Sequence, residues 1–320
     1  MKISLVVPLK DEENSVGRLL RSIDAQTRRP DECIFVDAGS ADATVSFLKD
    51  AEEGRHNRLI ILAESAYPGK ARNIGVEKAS GDIIAFTDGG IELDKDWLKN
   101  LAEEMEIASA DVVYGHYAPR ADTIFKECLA LVMMQPQVMV DGKWMRKRSI
   151  ASSLMRRSVW QAVGGFPDER AGEDRAFMMK IDEANFKVRY CPSAIITWDI
   201  PKDFKDVWNR FSTYSFHNAN AGRIWNWHVP VLVMYMGAIV LIGLGIFVSP
   251  IFYAVLVGGL LIRIAKKIFG NRRESYLRAT HMPAYLGLGL LLMIFIDAAT
   301  FAGWFKSCKS RIISRKTIIS

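Results

Sequence analysis

Gly81-Asp82-Ile83-Ile84-Ala85-Phe86-Thr87-Asp88-Gly89-Gly90 is the stretch that decides the fold of this chain. Ile83 to Phe86 form a short, continuous apolar run, which is typical of a strand covered on both faces. The run leads into Asp88, and the two glycines that follow let a ligand or another backbone come close. In open α/β sheets, ligands bind in the crevice beyond the carboxyl ends of the strands. We therefore expect Asp88 to lie at a functional site.

The same pattern occurs three times upstream of this stretch and predicts a sheet of parallel strands. Apolar runs at 3–7, 33–36 and 59–62 each lead through a polar loop into a segment with helical character, and Pro8 is expected to stop the first run. The second run ends at Asp37, which should place another carboxylate beside Asp88. Four strands that alternate with helices predict an α/β fold with right-handed crossovers.

The composition changes along the chain and predicts two domains. Charged residues are interspersed up to Arg223, whereas long apolar runs dominate from Val229 onward. We expect a domain with the charge distribution of a soluble protein over 1–222 and a membrane domain over 223–320. Four scattered cysteines show no paired spacing, so they indicate neither a zinc site nor a disulfide framework.

The C-terminal region contains three apolar segments. Residues 229–248 carry no charge and are long enough to span a bilayer, whereas 251–265 is short and predicts a hairpin or an interfacial segment. The third segment, 283–305, is full-length but contains Asp297, which should face protein or water. Trp225 precedes the first segment, as expected at the boundary between water and lipid.

Basic residues cluster beside these segments, in the loop 263–278 and in the tail after Lys306. The net charge of +6 is modest, and this placement favours lipid headgroups over nucleic acid as the partner. The N-terminus does not read as a signal peptide, so we expect a multi-pass protein of the cell membrane with a cytoplasmic catalytic domain. One basic cluster would then break the positive-inside tendency unless an apolar segment is re-entrant. The sequence makes no prediction of oligomeric state.

Five short motifs occur in an order that resembles the family 2 glycosyltransferases of the GT-A fold. The resemblance covers roughly residues 3–215 and rests on Pro8-Leu9-Lys10-Asp11-Glu12, Val36-Asp37-Ala38-Gly39-Ser40, Ala71-Arg72-Asn73, Phe86-Thr87-Asp88, and Gly164-Gly165-Phe166 with Glu173-Asp174. It implies a Rossmann-like mixed sheet followed by transmembrane helices. It also implies transfer of a sugar from a nucleotide-sugar donor to a lipid-linked or glycan acceptor, with inversion at the anomeric carbon.

The resemblance also assigns roles to individual residues. Pro8 and Glu12 would belong to a loop around the nucleotide, and Asp37 would contact its base or ribose. Asp88 would hold a divalent metal, Mg²⁺ or Mn²⁺, on the donor diphosphate. Arg72 would bind the diphosphate. Asp174 would be the general base, with Glu173 as its neighbour on the acceptor side. Arg210 is a further candidate for the diphosphate, from a helix over 203–221.

Other interpretations of these residues stay open. Glu173 and Asp174 could simply suit the first turn of a helix, Asp37 could form a turn, and Arg72 and Arg210 could be surface ion-pair partners. The family's motif often has a second carboxylate where this chain has Gly89-Gly90, although one carboxylate plus phosphates and waters can hold a hard cation. Two rival functions follow: a polyprenyl-phosphate glycosyltransferase, and a non-catalytic membrane scaffold that binds nucleotide sugars.

Overall fold

The computed structural model describes residues 1–52, 58–62, 66–140, 142–168 and 172–319. The chain forms two compact units, one of Met1–Arg120 with Val138–Asp199 and the other of Ala121–Gln137 with Ile200–Ser320. The second unit thus begins before the predicted limit at 222 and includes an insertion, 121–137, from within the predicted catalytic domain. The functional division into two domains stays a prediction.

An eight-stranded mixed sheet forms the centre of the first unit, in the order β3-β2-β1-β4-β9-β6-β10-β5. A separate two-stranded hairpin consists of β7 and β8. The strand bounds are β1 (Ile3–Leu9), β2 (Glu32–Asp37), β3 (Arg58–Leu62), β4 (Ile83–Phe86), β5 (Ile91–Leu93), β6 (Val112–Pro119), β7 (Val138–Val140), β8 (Lys143–Met145), β9 (Ser153–Arg156) and β10 (Val188–Trp198).

Helices cover the sheet and make up most of the second unit. Their bounds are α1 (Val16–Asp24), α2 (Thr44–Glu52), α3 (Pro68–Lys78), α4 (Trp97–Ile107), α5 (Ile124–Met133), α6 (Arg157–Ala162), α7 (Glu173–Glu183), α8 (Phe204–Asn220), α9 (Ile224–Trp227), α10 (Val229–Phe247), α11 (Ile251–Gly270) and α12 (Met282–Ile319). Helix α5 and helices α8 to α12 belong to the second unit.

The first four strands are parallel, as the alternation of strands and helices predicts. Strand β9 lies antiparallel between β4 and β6, which makes the sheet mixed. The expectation that Pro8 ends β1 is wrong, because the strand continues to Leu9. Pro8 pairs with Val36 of β2, whereas the pairing of β1 with β4 ends at Val6. A proline is tolerated there because only one of its sides lies in the ladder.

Apolar side chains fill both faces of the sheet, so β1, β2 and β4 are buried throughout their central residues. Leu5 and Val7 pack into the cluster on one face, and Val6 packs into the cluster on the other. This arrangement explains the continuous apolar runs, because a strand covered on both faces has no side that must be polar. A ligand would therefore contact these strands at their polar ends, where no apolar layer covers them.

In the second unit, two helical segments, Val229–Phe247 and Ala279–Arg311, are long and apolar enough to cross a membrane by length and composition alone. The first ends one residue before the end of the predicted segment 229–248, and the second includes the predicted segment 283–305. The second predicted segment, 251–265, is longer than expected, because α11 continues through its basic end to Gly270.

Asp297 is buried at the junction of three helices in this unit. It accepts hydrogen bonds from Arg263 Nη1 at 2.6 Å and Nη2 at 3.0 Å, and from Tyr235 Oη at 3.0 Å. These partners come from α11 and α10, while Asp297 lies on α12. Of the two surroundings expected for this carboxylate, protein or water, the structure shows protein, since the side chain is only 6% exposed.

Candidate active site

Two loops at the carboxyl ends of β1 and β2 are joined by hydrogen bonds between side chains and backbone. Asp11 N donates to Ser40 Oγ at 2.8 Å, and Glu12 N donates to Thr44 Oγ1 at 2.7 Å. In return, Ala41 N donates to Asp11 Oδ1 at 2.8 Å. These hydrogen bonds fix the loop 10–14, which follows β1, against the loop that follows β2.

Asp37 is buried and builds the turn that follows β2. Its Oδ2 accepts from Gly39 N at 3.1 Å and Ser40 N at 3.0 Å, while Oδ1 accepts from Ser40 Oγ at 2.5 Å. This is the local hydrogen bonding by which aspartates form turns. The structure therefore places Asp37 at the predicted edge of the sheet, with its oxygens bound by the turn. The expectation that it lies directly beside Asp88 is wrong, because β1 lies between β2 and β4. Its contact with the nucleotide stays a prediction.

Glu12 lies directly against the two glycines that follow Asp88. A Cβ added at Gly89 would lie 2.8 Å from Glu12 Cγ, and one added at Gly90 would lie 3.3 Å from both carboxylate oxygens of Glu12. A side chain at Gly89 would therefore clash with Glu12, and one at Gly90 would make a tight contact with its carboxylate. The glycines that replace the family's second carboxylate leave room for a different carboxylate, which comes from the first loop. Pro8, in contrast, lies inside β1 and is buried.

Arg72 is the centre of the candidate site and joins two of the predicted residues. It is 4% exposed, donates from Nη2 to Asp88 Oδ1 at 2.7 Å and from Nη1 to Glu173 Oε1 at 3.2 Å, and lies over the ring of Phe166. Burial lowers the pKa of Arg72, but Asp88 and Glu173 more than offset this, so its pKa is raised. The guanidinium is permanently charged and links strand β4 to helix α7.

Glu173 and Asp174 begin α7, and their environments differ. Glu173 is 7% exposed, and burial, followed by the charge of Asp174, raises its pKa although Arg72 opposes the shift. Asp174 is half-buried, and its Oδ1 accepts from Arg175 N at 2.7 Å. Thus the buried carboxylate holds Arg72, whereas its neighbour in the first turn is accessible to a ligand.

Asn73 has a structural role that its position in a motif does not reveal. Its Nδ2 donates to the carbonyl of Phe166 at 2.8 Å, while its Oδ1 accepts from Phe166 N and Trp160 Nε1, each at 2.9 Å. These bonds hold the turn Gly164-Gly165-Phe166, whose two glycines have positive φ angles. The motif Ala71-Arg72-Asn73 and the turn Gly164-Gly165-Phe166 are therefore joined by hydrogen bonds.

His116 lies within β6, two residues beyond Tyr114, which shares its partner Ser153 with Phe86 at the end of β4. The sequence does not single it out. Strand β6 runs in the direction of β4, because each is antiparallel to β9. His116 Nδ1 accepts from Arg146 N at 3.2 Å. Burial and, to a smaller extent, the charge of Arg146 lower the pKa of His116 to about 4. The imidazole is therefore neutral near pH 7, a signal available only from the folded chain.

Asp88 offers one carboxylate to a metal. Its Oδ1 is held by Arg72, its side chain is 40% exposed, and its Oδ2 has no hydrogen-bond partner among the residues that the structure describes. That part of the chain contains no group of three or more His, Cys, Asp or Glu side chains that could hold a metal ion. One carboxylate oxygen still fits a hard cation whose other ligands are substrate phosphates and waters.

The structure thus brings Arg72, Asp88 and Glu173 into contact, with Asp174 next in the chain. Glu12 borders the glycines after Asp88, and Asp37 forms the neighbouring turn. Arg210 lies on α8 in the second unit. Its proposed contact with the donor diphosphate stays a prediction.

Comparison with known protein families gives two matches. Residues 4–159 match the model described as glycosyl transferase family 2, and residues 88–296 match the model described as glycosyl transferase family group 2. Together the matches cover the sheet, the candidate site and most of the helical unit.

Two curated relatives show what this chain is similar to. An O-antigen chain rhamnosyltransferase, RfbN of Salmonella typhimurium, is 27% identical over 230 residues, which are 68% of this chain and 73% of that protein. A dodecaprenyl-phosphate galacturonate synthase of Rhizobium johnstonii is 32% identical over 130 residues, 39% of this chain and 38% of the relative. The matched share of the relative's own length varies widely: it is 73% for RfbN and 38% for the galacturonate synthase, but only 17% for the glycosyltransferase GlyA of Streptococcus pneumoniae.

A solved structure shares the fold of this chain. The mannosyltransferase PcManGT from Pyrobaculum calidifontis, in complex with GDP-Man and Mn²⁺, has a TM-score of 0.63 and 17% sequence identity. The match covers 96% of this chain and 87% of that one. At this identity the likeness shows the GT-A fold alone.

Proposed function

The chain belongs to the family 2 glycosyltransferases, and from this premise we propose that it moves a sugar from a nucleotide-sugar donor to a lipid-linked or surface-glycan acceptor with inversion at the anomeric carbon. Two relatives, the O-antigen chain rhamnosyltransferase and the dodecaprenyl-phosphate galacturonate synthase, support this class of acceptor.

The contact of Arg72 with both Asp88 and Glu173 is the observation that carries the proposal. An inverting transfer requires an acceptor hydroxyl to lose its proton and a diphosphate to leave with the bonding electron pair. Asp88 lies on the proposed diphosphate side and Glu173 beside the proposed base, so one buried cation fixes the spacing between the two halves of the reaction. Such positioning lowers the barrier because the reacting groups are oriented before the reaction.

Asp174 is the proposed general base because it is accessible and stands in the first turn of α7. A negatively charged side chain suits the N-terminus of a helix, so a carboxylate that is to take a proton is favourably placed there. Asp174 takes the proton from the acceptor hydroxyl, the hydroxyl oxygen bonds to the anomeric carbon, and the bond to the diphosphate oxygen breaks. Glu173 acts as a positioning residue on the acceptor side, since its carboxylate is already bound by Arg72.

A divalent metal, Mg²⁺ or Mn²⁺, is proposed at Asp88 by analogy with the Mn²⁺ complex of the mannosyltransferase. When bound, it neutralises charge on the leaving diphosphate. Arg72 keeps Asp88 oriented through Oδ1 and leaves Oδ2 for the cation, and the small volume of Gly89 and Gly90 admits the side chain of Glu12 beside it. Pro8, Glu12 and Asp37 are proposed to contact the nucleotide, and Arg210 the diphosphate.

We place the protein at the cell membrane, with its catalytic unit on the cytoplasmic side. Two helices with the length and composition of membrane spans support this location, as do relatives that act on lipid-linked substrates. Positive charge supports it as well, because the second unit contains 16 Lys and Arg residues but only 6 Asp and Glu. Basic residues next to apolar segments prefer the cytoplasmic face of a membrane.

A polyprenyl-phosphate acceptor is the alternative that a specific observation favours, namely the 32% identity to a dodecaprenyl-phosphate galacturonate synthase. A phosphate acceptor is already ionised near pH 7 and does not depend on a strong base. The two acceptor classes therefore differ in how much the reaction depends on Asp174.

The experiment that tests the proposal measures nucleoside diphosphate release by purified protein in lipid nanodiscs. UDP-, GDP- and dTDP-sugars are supplied with Mg²⁺, Mn²⁺ or chelator, with and without membrane lipid extract. We expect release that needs both lipid and metal, and that falls in Asp174→Asn and Asp88→Ala. Matched controls are Glu183→Gln, exposed at the far end of α7, and Asp82→Ala, exposed at the opposite end of β4.

Three results would count against parts of the proposal. Release that is unchanged in Asp174→Asn but lost in Asp88→Ala would identify the phosphate-acceptor alternative. Equal losses in the variants and their matched controls would mean that the effects are structural. Donor binding without release under every condition would contradict catalysis and favour the scaffold.

A further inference from the structure

Helices α10 and α11 form an apolar hairpin whose far part is covered by little but itself. The two helices are joined by a short connection at Ser249-Pro250. A Cβ added at Gly245 would lie 2.6 Å from the ring of Tyr253, so this glycine allows the helices to pack closely. The two helices therefore pack against each other as an antiparallel pair.

The hairpin is anchored at its base and free beyond it. Tyr235 on α10 and Arg263 on α11 both bind Asp297 of α12, and His228 stacks against Trp304. Between Tyr235 and Arg263, the described residues make no hydrogen bond or ring contact with any element outside the hairpin. Four glycines in this part, at 237, 243, 258 and 259, would each have nothing within 4 Å of an added Cβ. Residues 236–262 thus project from the unit.

The projecting part exposes an apolar surface on all sides. No charged residue occurs between Arg223 and Arg263. Near the tip, Phe247 is 85% exposed and Val248 68% exposed. The other large apolar residues of this part with more than half of their surface exposed are Met236, Ile239, Val240, Ile246, Ile251, Val255, Val257 and Ile262. An apolar surface of this extent requires an apolar environment.

The length of the projecting part matches one leaflet of a bilayer. Residues 236–247 and 251–262 each extend about 18 Å at 1.5 Å per residue. The hydrocarbon core of a bilayer is about 30 Å thick, so a single leaflet contributes about 15 Å. The first charged side chain after the hairpin, Arg263, would then lie at the level of the headgroups, with Lys266 one turn further out.

We infer that α10 and α11 enter the membrane as a re-entrant hairpin that occupies the hydrocarbon of the cytoplasmic leaflet and returns to the same face. This inference rests on the proposed membrane association and replaces the predicted series of spans for these two helices. A re-entrant hairpin leaves the base of α10 and the basic loop 263–278 on the same, cytoplasmic side, as the positive-inside tendency favours for that loop.

A full crossing by α10 would place the charges less favourably. The connection at 248–250 would then reach the far face, and Arg263 would stop about 20 Å along the return path, inside the hydrocarbon. Lys267 would lie about 6 Å further along the return path, still within the hydrocarbon. Within the described residues, its ammonium has no ion-pair partner, since Asp297 is bound by Arg263 and Tyr235. The leaflet arrangement avoids burying that unpaired charge.

The test measures the depth of a fluorescent label at the tip of the hairpin. Val248→Cys carries an NBD label in a Cys308→Ser background, in which the three remaining cysteines are buried. The matched control is Lys266→Cys, exposed on the same helix pair near its base. Both full-length proteins are reconstituted into vesicles whose phosphatidylcholine carries bromine either near the headgroup or near the end of the acyl chain.

We expect deep bromines to quench the label at 248 about twofold more than shallow ones, because the tip reaches the bilayer centre, and the reverse order at 266. Stronger quenching by shallow bromines at both positions would overturn the inference, since the tip would then lie at a headgroup level. Absence of quenching at both positions would show that the protein does not enter the bilayer, which would overturn the proposed membrane association as well.

Discussion

Replacing Arg72 by methionine tests the centre of the candidate site. The change keeps an unbranched apolar stem but removes the guanidinium that binds Asp88 and Glu173. Asp88 has a 40% exposed side chain and can be rehydrated, whereas the side chain of Glu173 is only 10% exposed. Breaking a fully buried ion pair costs about 3–5 kcal/mol. Because only one of the two carboxylates stays buried, we expect a loss of about 2–3 kcal/mol in the free energy of unfolding.

The loss should depend on pH in a direction set by Glu173. Burial and Asp174 already raise the pKa of this group above its ordinary value of 4.5, and Arg72 opposes that shift. Without Arg72 the pKa of Glu173 rises further. A carboxyl group whose pKa is raised in the folded state does not lower the free energy of unfolding below pH 4.5. Above that pH the free energy of unfolding falls until the pH passes the folded-state pKa, and it is constant beyond. Arg72→Met should therefore be more destabilised at pH 8 than at pH 5.

Thermal unfolding of purified protein, followed by intrinsic fluorescence, measures this effect. Each kcal/mol shifts the Tm of a domain of 150–250 residues by about 2–4 °C, so the expected decrease at pH 8 is about 4–12 °C. Arg72→Met with Glu173→Gln should lose most of the pH dependence, because the stranded charge is removed. The control is Arg156→Met, which breaks an exposed ion pair with Asp111 and should cost about 0–1 kcal/mol. Equal decreases for Arg72→Met and this control, or an equal deficit at pH 5 and pH 8, would refute the reasoning.

Three further predictions concern residues around this centre. Asp174→Asn should lower kcat about 10²–10⁴-fold with a hydroxyl acceptor, as expected for loss of a general base, while Glu183→Gln keeps the wild-type rate; a fall of less than about tenfold would exclude that role. Asn73→Ala should lower the free energy of unfolding by about 2–3 kcal/mol, because the backbone of Phe166 loses both partners, and an unchanged Tm would contradict this. The pKa of His116 is lowered to about 4 from its ordinary 6.5, so its contribution to stability is complete above pH 6.5 and declines as the pH falls. His116→Gln should accordingly lose less Tm than wild type between pH 7 and pH 5, and identical losses would count against the neutral imidazole.

Much of the first unit could be predicted from local sequence patterns. The run before Asp88 is buried on both faces, and that burial is visible in the sequence as an uninterrupted apolar stretch. Asp37 lies at the end of β2, as predicted, but β1 separates β2 from β4, so Asp37 is not on the strand next to Asp88. The antiparallel strand β9 was not predicted, because its four residues, Ser153 to Arg156, carry no alternation that distinguishes them from a loop.

Contacts across long sequence separations could not be predicted from those patterns. Arg72 is 101 residues from Glu173 in the chain, and Asn73 is 93 residues from Phe166. Each of these residues has a plausible local interpretation, as a surface cation, a helix-capping acid or a turn residue. Only the packing of α3 beside α7 selects among them, since it removes water from Arg72 and leaves the carboxylates as its partners.

The sequence by itself determined the family, the parallel half of the sheet and the strand end that carries Asp88, because burial periodicity and turn chemistry are local properties. The tertiary structure alone decided that Glu12 occupies the space beside Gly89 and Gly90, and that Arg72 links Asp88 to Glu173. It also decided that the apolar hairpin of α10 and α11 is anchored at Asp297. These features depend on which distant groups are desolvated together, and desolvation is a property of the packed chain.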